Sequence, residues 1–216
     1  MDKLFIACIN NNIVTVQTIL EQGGSIDINS EDEGGDTALI WAALKNNLEI
    51  VKLLLINCAN INHAGEDRET ALIWAACKNN TEIVKLLLRN GANINHANQH
   101  GYTALLWAVI NNNLEIVKLL LRNSANINHA NKAGNTALLW AVINNHPEIV
   151  KLLLRNGADI HHVNNDGETA LKMATKQKFE NIINIITLYI VLHDQLVITY
   201  IRVIPRDIIF VIESFL

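Results

Sequence analysis

The heptapeptide TALIWAA starts at Thr37 and again at Thr70; TALLWAV starts at Thr103 and Thr136, and TALKMAT at Thr169. Successive starts lie 33 residues apart. A fixed period of this length constrains the fold more than any other feature of the chain. Each period is one supersecondary unit that cannot bury its apolar face alone and must stack on its neighbours. One undivided globular core is therefore excluded. The chain of 216 residues is long enough to bury a sizeable core, with half its residues hydrophobic and 18% charged, so disorder is excluded too.

One period, Thr37 to Glu69, shows how a unit is built. TALIWAALK is a short apolar segment whose threonine suits a helix start. Asn46 and Asn47 then break it, since asparagine tolerates the left-handed conformation of a tight turn. LEIVKLLLIN follows, with Ile50, Val51, Leu53, Leu54 and Leu55 giving a helix buried over much of its surface. Glu49 lies near its positive end, and in later copies Arg89, Arg122 and Arg155 lie near the opposite end. Pro147 stands just inside the start of the fourth such helix, where its missing N–H costs nothing. Gly91 and Gly157 suit left-handed caps; Cys58 and Ser124 hold that place in other copies and predict weaker caps. The segment ANINHA then reads as a short extended piece. A polar loop follows, with Gly35, Gly101, Gly134 or Gly167 two residues before the next threonine. Arg68 replaces that glycine once, at a cost of about 1 kcal/mol.

This helix–turn–helix–finger pattern resembles the ankyrin repeat over residues 2 to about 189. The family motif T-P-L-H-x-A stands here as T-A-L-[I/L]-W-A. The histidine that ties loop to helix in the family is replaced by Ile40, Ile73, Leu106 and Leu139, so apolar packing must compensate. The resemblance implies an all-α ankyrin-repeat solenoid of about six repeats with a C-terminal helical cap. The expected boundaries are a degenerate first repeat (2–36) and regular repeats at 37–69, 70–102, 103–135 and 136–168. A capping repeat (169–189) and a helical segment (190–216) complete the chain.

No enzymatic chemistry emerges, and no cofactor or metal is expected. His63, His96, His129 and His162 recur at the period of the stack. Matching side chains in adjacent units stand about 8–10 Å apart, whereas metal ligands lie about 2 Å from their ion. Their expected role is packing and hydrogen bonding within each finger. Trp41, Trp74, Trp107 and Trp140, the four tryptophans, share one register and read as a buried or half-buried ladder. There is no Gly-rich phosphate loop after a strand and no local nucleophile signature. Cys8, Cys58 and Cys77 form no C-x-x-C pair and fit a reduced, intracellular setting. Cys77 falls on the exposed side of its helix by register, without an activating cationic cluster. A net charge of −4 with no basic stripe argues against nucleic acid. The apolar stretch 182–204 is interrupted by Asn184, His193, Asp194, Gln195 and Arg202, which argues against a membrane span. A monomer is expected.

Positions that stay constant between copies hold the stack; positions that vary are free for recognition. The variable set comprises Leu44, Lys45, Cys77, Lys78, Ile110, Asn111, Ile143 and Asn144 on the first helices. In the fingers it comprises Glu66, Asp67, Glu69, Gln99, His100, Tyr102, Lys132, Ala133, Asn135, Asn165, Asp166 and Glu168. By resemblance these form the concave surface on which ankyrin proteins bind protein targets. Glu31, Asp32, Glu33, Asp36, Glu66, Asp67 and Glu69 make the early fingers acidic and suited to a basic patch on a partner. Tyr102, Ile110 and Ile143 are the expected anchors.

The period stops after residue 189. LYIVLHDQLVITYIRV reads as a further apolar helix able to cover the end of the stack. IPRDIIFVIESFL, residues 204–216, then carries Ile204, Pro205, Asp207, Ile208, Ile209, Ile212 and Leu216 in a pattern that resembles the opening helix of an F-box, L-P-x-E-[I/L]-[I/L]-x-x-[I/L]-x-x-x-L. F-boxes bind the Skp1 adaptor of a cullin-based ubiquitin ligase. Ankyrin repeats followed by such a PRANC-type segment characterise poxvirus proteins and effectors of intracellular bacteria, and the Asn/Ile richness fits an AT-rich genome. The resemblance implies an adaptor: repeats select a host target, and the terminal residues recruit Skp1. Only the first helix of an F-box is present, so a second reading stands beside it. In that reading the chain is a plain ankyrin scaffold or inhibitor whose last helices only cap the stack.

Overall fold

The computed structural model describes residues 3–22 and 27–193. Among them twelve helices form six antiparallel pairs: α1 (Lys3–Ile9) with α2 (Ile13–Glu21), α3 (Ala38–Leu44) with α4 (Leu48–Ile56), α5 (Ala71–Cys77) with α6 (Thr81–Arg89), α7 (Ala104–Ile110) with α8 (Leu114–Arg122), α9 (Ala137–Ile143) with α10 (Pro147–Arg155), and α11 (Ala170–Gln177) with α12 (Glu180–His193). This is the all-α ankyrin architecture that the period predicts. α12 continues past residue 189 to His193, and the Tyr189 hydroxyl donates to the Leu154 carbonyl at 3.0 Å.

The chain divides into two units, Met1–Asn126 and Ile127–Leu216. In the first, α1, α3, α5 and α7 form one layer and α2, α4, α6 and α8 a second. In the second, α9 packs on α10 and α11, and α12 packs on both α10 and α11. The motif residues make the core. Ile40, Ile73, Leu106 and Leu139, which stand where the family has histidine, are each 1% exposed. Ile50, Val51 and Leu54 of α4 are fully buried, as are their counterparts in α6 and α8.

Both helices of a unit end in the same way. The chain turns left-handed at Asn46, Asn79, Asn112 and Asn145 after the first helix, with φ between 55° and 62°. After the second it does so at Cys58, Gly91, Ser124 and Gly157. Around Gly91 the amides of Gly91 and Ala92 donate to the Leu88 and Leu87 carbonyls at 3.2 and 3.0 Å. The same pair of bonds forms around Cys58, which therefore adopts the glycine cap without being glycine. Thr70, Thr103, Thr136 and Thr169 cap the first helices through Oγ1, at 3.3–3.5 Å. Thr37 makes no such bond.

The ANINHA segments are not extended. In the first of them the Asn62 amide donates to Asn60 Oδ1 at 3.1 Å and the His63 amide to the Asn60 carbonyl at 3.2 Å, closing a turn. Short polar side chains that satisfy the backbone locally favour turns over strands. Isolated antiparallel bridges, Glu31–Thr37, Ala64–Thr70 and Ala97–Thr103, pinch the base of three fingers.

Candidate functional site

Each finger is tied to the one before it by side chains that look like loop filler in the sequence. The amides of Asn60, Asn93 and Asn126 donate to Oδ1 of Asn29, Asn62 and Asn95, at 2.7–2.8 Å, and the Asp159 amide to Asn128 at 2.9 Å. The histidines also bond the preceding finger rather than their own. His63 Nε2 bonds the Gly35 carbonyl at 2.8 Å, His96 the Arg68 carbonyl at 2.9 Å, and His162 the Gly134 carbonyl at 2.8 Å. A carbonyl only accepts, so Nε2 carries the proton in each. The acceptors are the residues at φ 71°, 60° and 78°. Arg68 thus keeps the glycine geometry and its role as acceptor. Among the described residues no group of three His, Cys, Asp or Glu side chains could hold a metal ion.

Sequence reasoning missed a second staple. Asn80 and Asn113 are buried, and their side-chain amides donate to the Ala43 and Ala76 carbonyls one unit back, at 2.7 and 3.0 Å. Asn47 bonds the Cys8 carbonyl in the same way. The signal was their identity in successive copies, where one asparagine would have sufficed for the turn.

The tryptophans are half-buried at one register. Trp41 Nε1 donates to Asp32 Oδ2 at 2.7 Å. Burial alone would raise the Asp32 pKa, but this bond and those from the Asp36 and Gly34 amides hold it below the usual carboxylate value. Gly65 occupies the place of Asp32 one period later, and the buried indole N–H of Trp74 has no hydrogen-bond partner among the described residues. Lys45 and Lys78 lie over the Trp41 and Trp74 rings, 5.9 and 5.8 Å from the centroids. Tyr102 packs on Trp107 with centroids 5.2 Å apart.

Most variable positions do reach the surface. Lys45, Glu66, Asp67, Lys78, His100, Asn111 and Lys132 are exposed; Leu44, Glu69, Gln99, Tyr102, Ile110, Ile143 and Asn144 are half-buried. Three are less free than their variability suggests. Asn111 Nδ2 donates to the Cys77 carbonyl at 3.0 Å and Asn144 Nδ2 to the Trp140 carbonyl at 2.9 Å. Asn135 is only 9% exposed. Cys77 is half-buried rather than exposed, and burial raises its thiol pKa even though Lys78 and Asn111 oppose the shift. Cys8 is pushed up to about 12 by burial. Neither supplies a thiolate. Ile204, Pro205, Asp207, Ile208, Ile209, Ile212 and Leu216 lie outside the described residues.

The ankyrin-repeat family model matches residues 2–64, 55–131 and 125–191. The chain belongs to the ankyrin-repeat family. An ankyrin repeat domain of Acinetobacter baumannii, solved as a crystal structure, is 31% identical, with a TM-score of 0.80 over 86% of this chain and 96% of that one. A chain from the complex of a predatory endopeptidase of Bdellovibrio bacteriovorus with an immunity protein is 29% identical, with a TM-score of 0.78 over 87% and 97%. The palmitoyltransferase akr1 of Schizosaccharomyces pombe is 41% identical over 61 residues, which is 28% of this chain and 9% of that protein. These ankyrin repeats form a protein-binding scaffold. Among the described residues no helix is long and apolar enough to cross a membrane.

Proposed function

We propose that the chain is a protein-binding adaptor. Its repeats hold a target on the surface made by finger loops and first helices, and residues 204–216 recruit Skp1 of a cullin-based ubiquitin ligase. The observation that carries the binding role is the clustering of variable, solvent-reaching side chains on fingers that are stapled to one another. A rigid finger presents its tip without losing much entropy on binding. The Skp1 role rests on the pattern Ile204, Pro205, Asp207, Ile208, Ile209, Ile212 and Leu216. Pull-down of purified Skp1 by the full chain tests it: Pro205→Ala with Ile208→Ala should abolish capture. Absence of capture by the wild type sinks the ligase link and leaves the binding role.

The second reading is a scaffold that inhibits by occlusion, without ubiquitin transfer. It is favoured by the similarity to a chain from a complex of an endopeptidase with an immunity protein. Proximity labelling in cells, followed by a test of whether the captured partner loses abundance or only activity, separates the two.

A further inference from the structure

In the second unit a cleft of about 210 Å³ opens between two fingers and helices α9 and α11. Ile143 and Met173 supply apolar wall, Asn135 and Asn164 lie at its finger side, and Asp166 and Lys176 stand at its edge. Small-molecule and cofactor sites usually run to roughly 300–1,000 Å³, so this one fits a single side chain and the main chain beside it.

The polarity of the cleft follows from a relay. The amides of Asp166 and Glu168 donate to Asn164 Oδ1, at 3.1 and 2.9 Å. That fixes the Asn164 side chain with its nitrogen outward, donating to Asn135 Oδ1 at 2.9 Å. Asn135 must therefore receive through oxygen, which leaves its NH₂ as the free end of the relay. Asn135 is 9% exposed and lines the cleft. A donor at the wall of the cleft suits an acceptor such as a main-chain carbonyl. The relay recurs in the first unit, where Asn98 takes the His100 and Tyr102 amides and donates to Glu69. There the last group is a carboxylate. The residue before each threonine thus sets whether a finger presents an acceptor or a donor.

Charge completes the description. Lys176 is held by Glu168 at 2.9 Å, whereas Asp166 is exposed and, among the described residues, in no ion pair. We propose that this cleft binds an extended peptide segment of a partner protein. One apolar side chain rests on Ile143 and Met173, a main-chain carbonyl accepts from Asn135 Nδ2, and a neighbouring lysine or arginine faces Asp166. The proposal rests on the protein-binding reading given above and adds the chemistry of the bound segment.

The test begins with selection of random linear peptides displayed on phage against the full chain. Selected sequences should share an apolar residue next to a basic one. Synthetic copies should shift the Asn135 side-chain amide signals in a ¹⁵N-resolved spectrum. Asn135→Asp keeps the oxygen that Asn164 needs, as Glu69 does for Asn98, but replaces the donor by an acceptor. It should weaken these peptides about tenfold or more, read at a temperature where circular dichroism shows the variant fully folded. Ile143→Ala, read independently, should also weaken them. Peptides that bind both variants as tightly as wild type, or leave Asn135 unshifted, or anchor on Lys176 through a terminal carboxylate, overturn the cleft while leaving the binding role intact. Failure to enrich any peptide overturns the cleft as well; only a labelling experiment that also finds no partner would count against both.

Discussion

Asp36 stands where later fingers place the acceptor of an asparagine amide, but its opposite number is Gly65. A Cβ at Gly65 would collide with Asp36 Oδ1, so the carboxyl fills the room that an asparagine side chain takes elsewhere. Burial raises the Asp36 pKa first, then the charges of Asp32, Glu69 and Asp67, with His63 opposing, and the value reaches about 6. Glu69 is raised as well, again chiefly by burial. A carboxyl whose folded pKa exceeds its unfolded value binds more protons when folded. Its penalty is therefore absent at low pH and grows as pH rises from about 4 to about 6. Stability should increase on acidification from pH 7 to pH 5. The group is half exposed, so its share is about 1 kcal/mol after allowance for screening. Asp36→Asn should raise the melting temperature at pH 7.5 and flatten that rise; an unchanged profile would refute this. A second residue-scale prediction concerns left-handed positions held by ordinary side chains. Cys58→Gly should stabilise by about 0.5–1 kcal/mol, the relief at φ 65° less the added freedom of the unfolded chain, read by urea unfolding. The weak cap at Cys58 was legible in the sequence because Gly91 and Gly157 mark the same place. The exceptional environment of Asp36 was not, since it depends on what stands opposite, 29 residues later.

At the scale of the element, apolar packing replaces the polar tie of the family motif. Leu106→Ala should cost about 2–5 kcal/mol, and Leu106→His should also lower stability, because it puts a polar imidazole where the side chain is 1% exposed. Asn80→Ala should cost about 0.5–1.5 kcal/mol by removing a buried bond to the Ala43 carbonyl, which keeps the Asn46 amide at 3.3 Å, measurable as a lower denaturant midpoint with unchanged slope. Helix positions and ends were readable because periodicity, breakers and caps agreed at every copy. The turn in ANINHA was misread as extended, since Ile61 and Ile94 suggest a strand while the bonds between asparagines decide. The staple from Asn80 was hidden for a related reason: asparagine at a turn already has a sufficient local explanation.

For the whole molecule, the period fixed the architecture, and most of the positions that vary between copies reach solvent. Variability did not separate freely exposed side chains from largely enclosed ones, such as Asn135, because both escape the requirement for identity. Within the first unit, coupling runs from neighbour to neighbour, so amide exchange should be slowest in α3 to α6 and faster in α1 and α2, where Val14 is 72% exposed. Uniform protection across α1 to α6 would contradict this. The histidine bonds carry a final implication, for how such a gene can change. Each imidazole meets a main-chain carbonyl, which every residue has, at a place set only by the period. Loss or duplication of one whole unit would bring the next histidine to an equivalent acceptor. The array can thus lengthen or shorten by recombination without any compensating mutation at the joint, and evolution of its partner surface can proceed by adding fingers as well as by altering them.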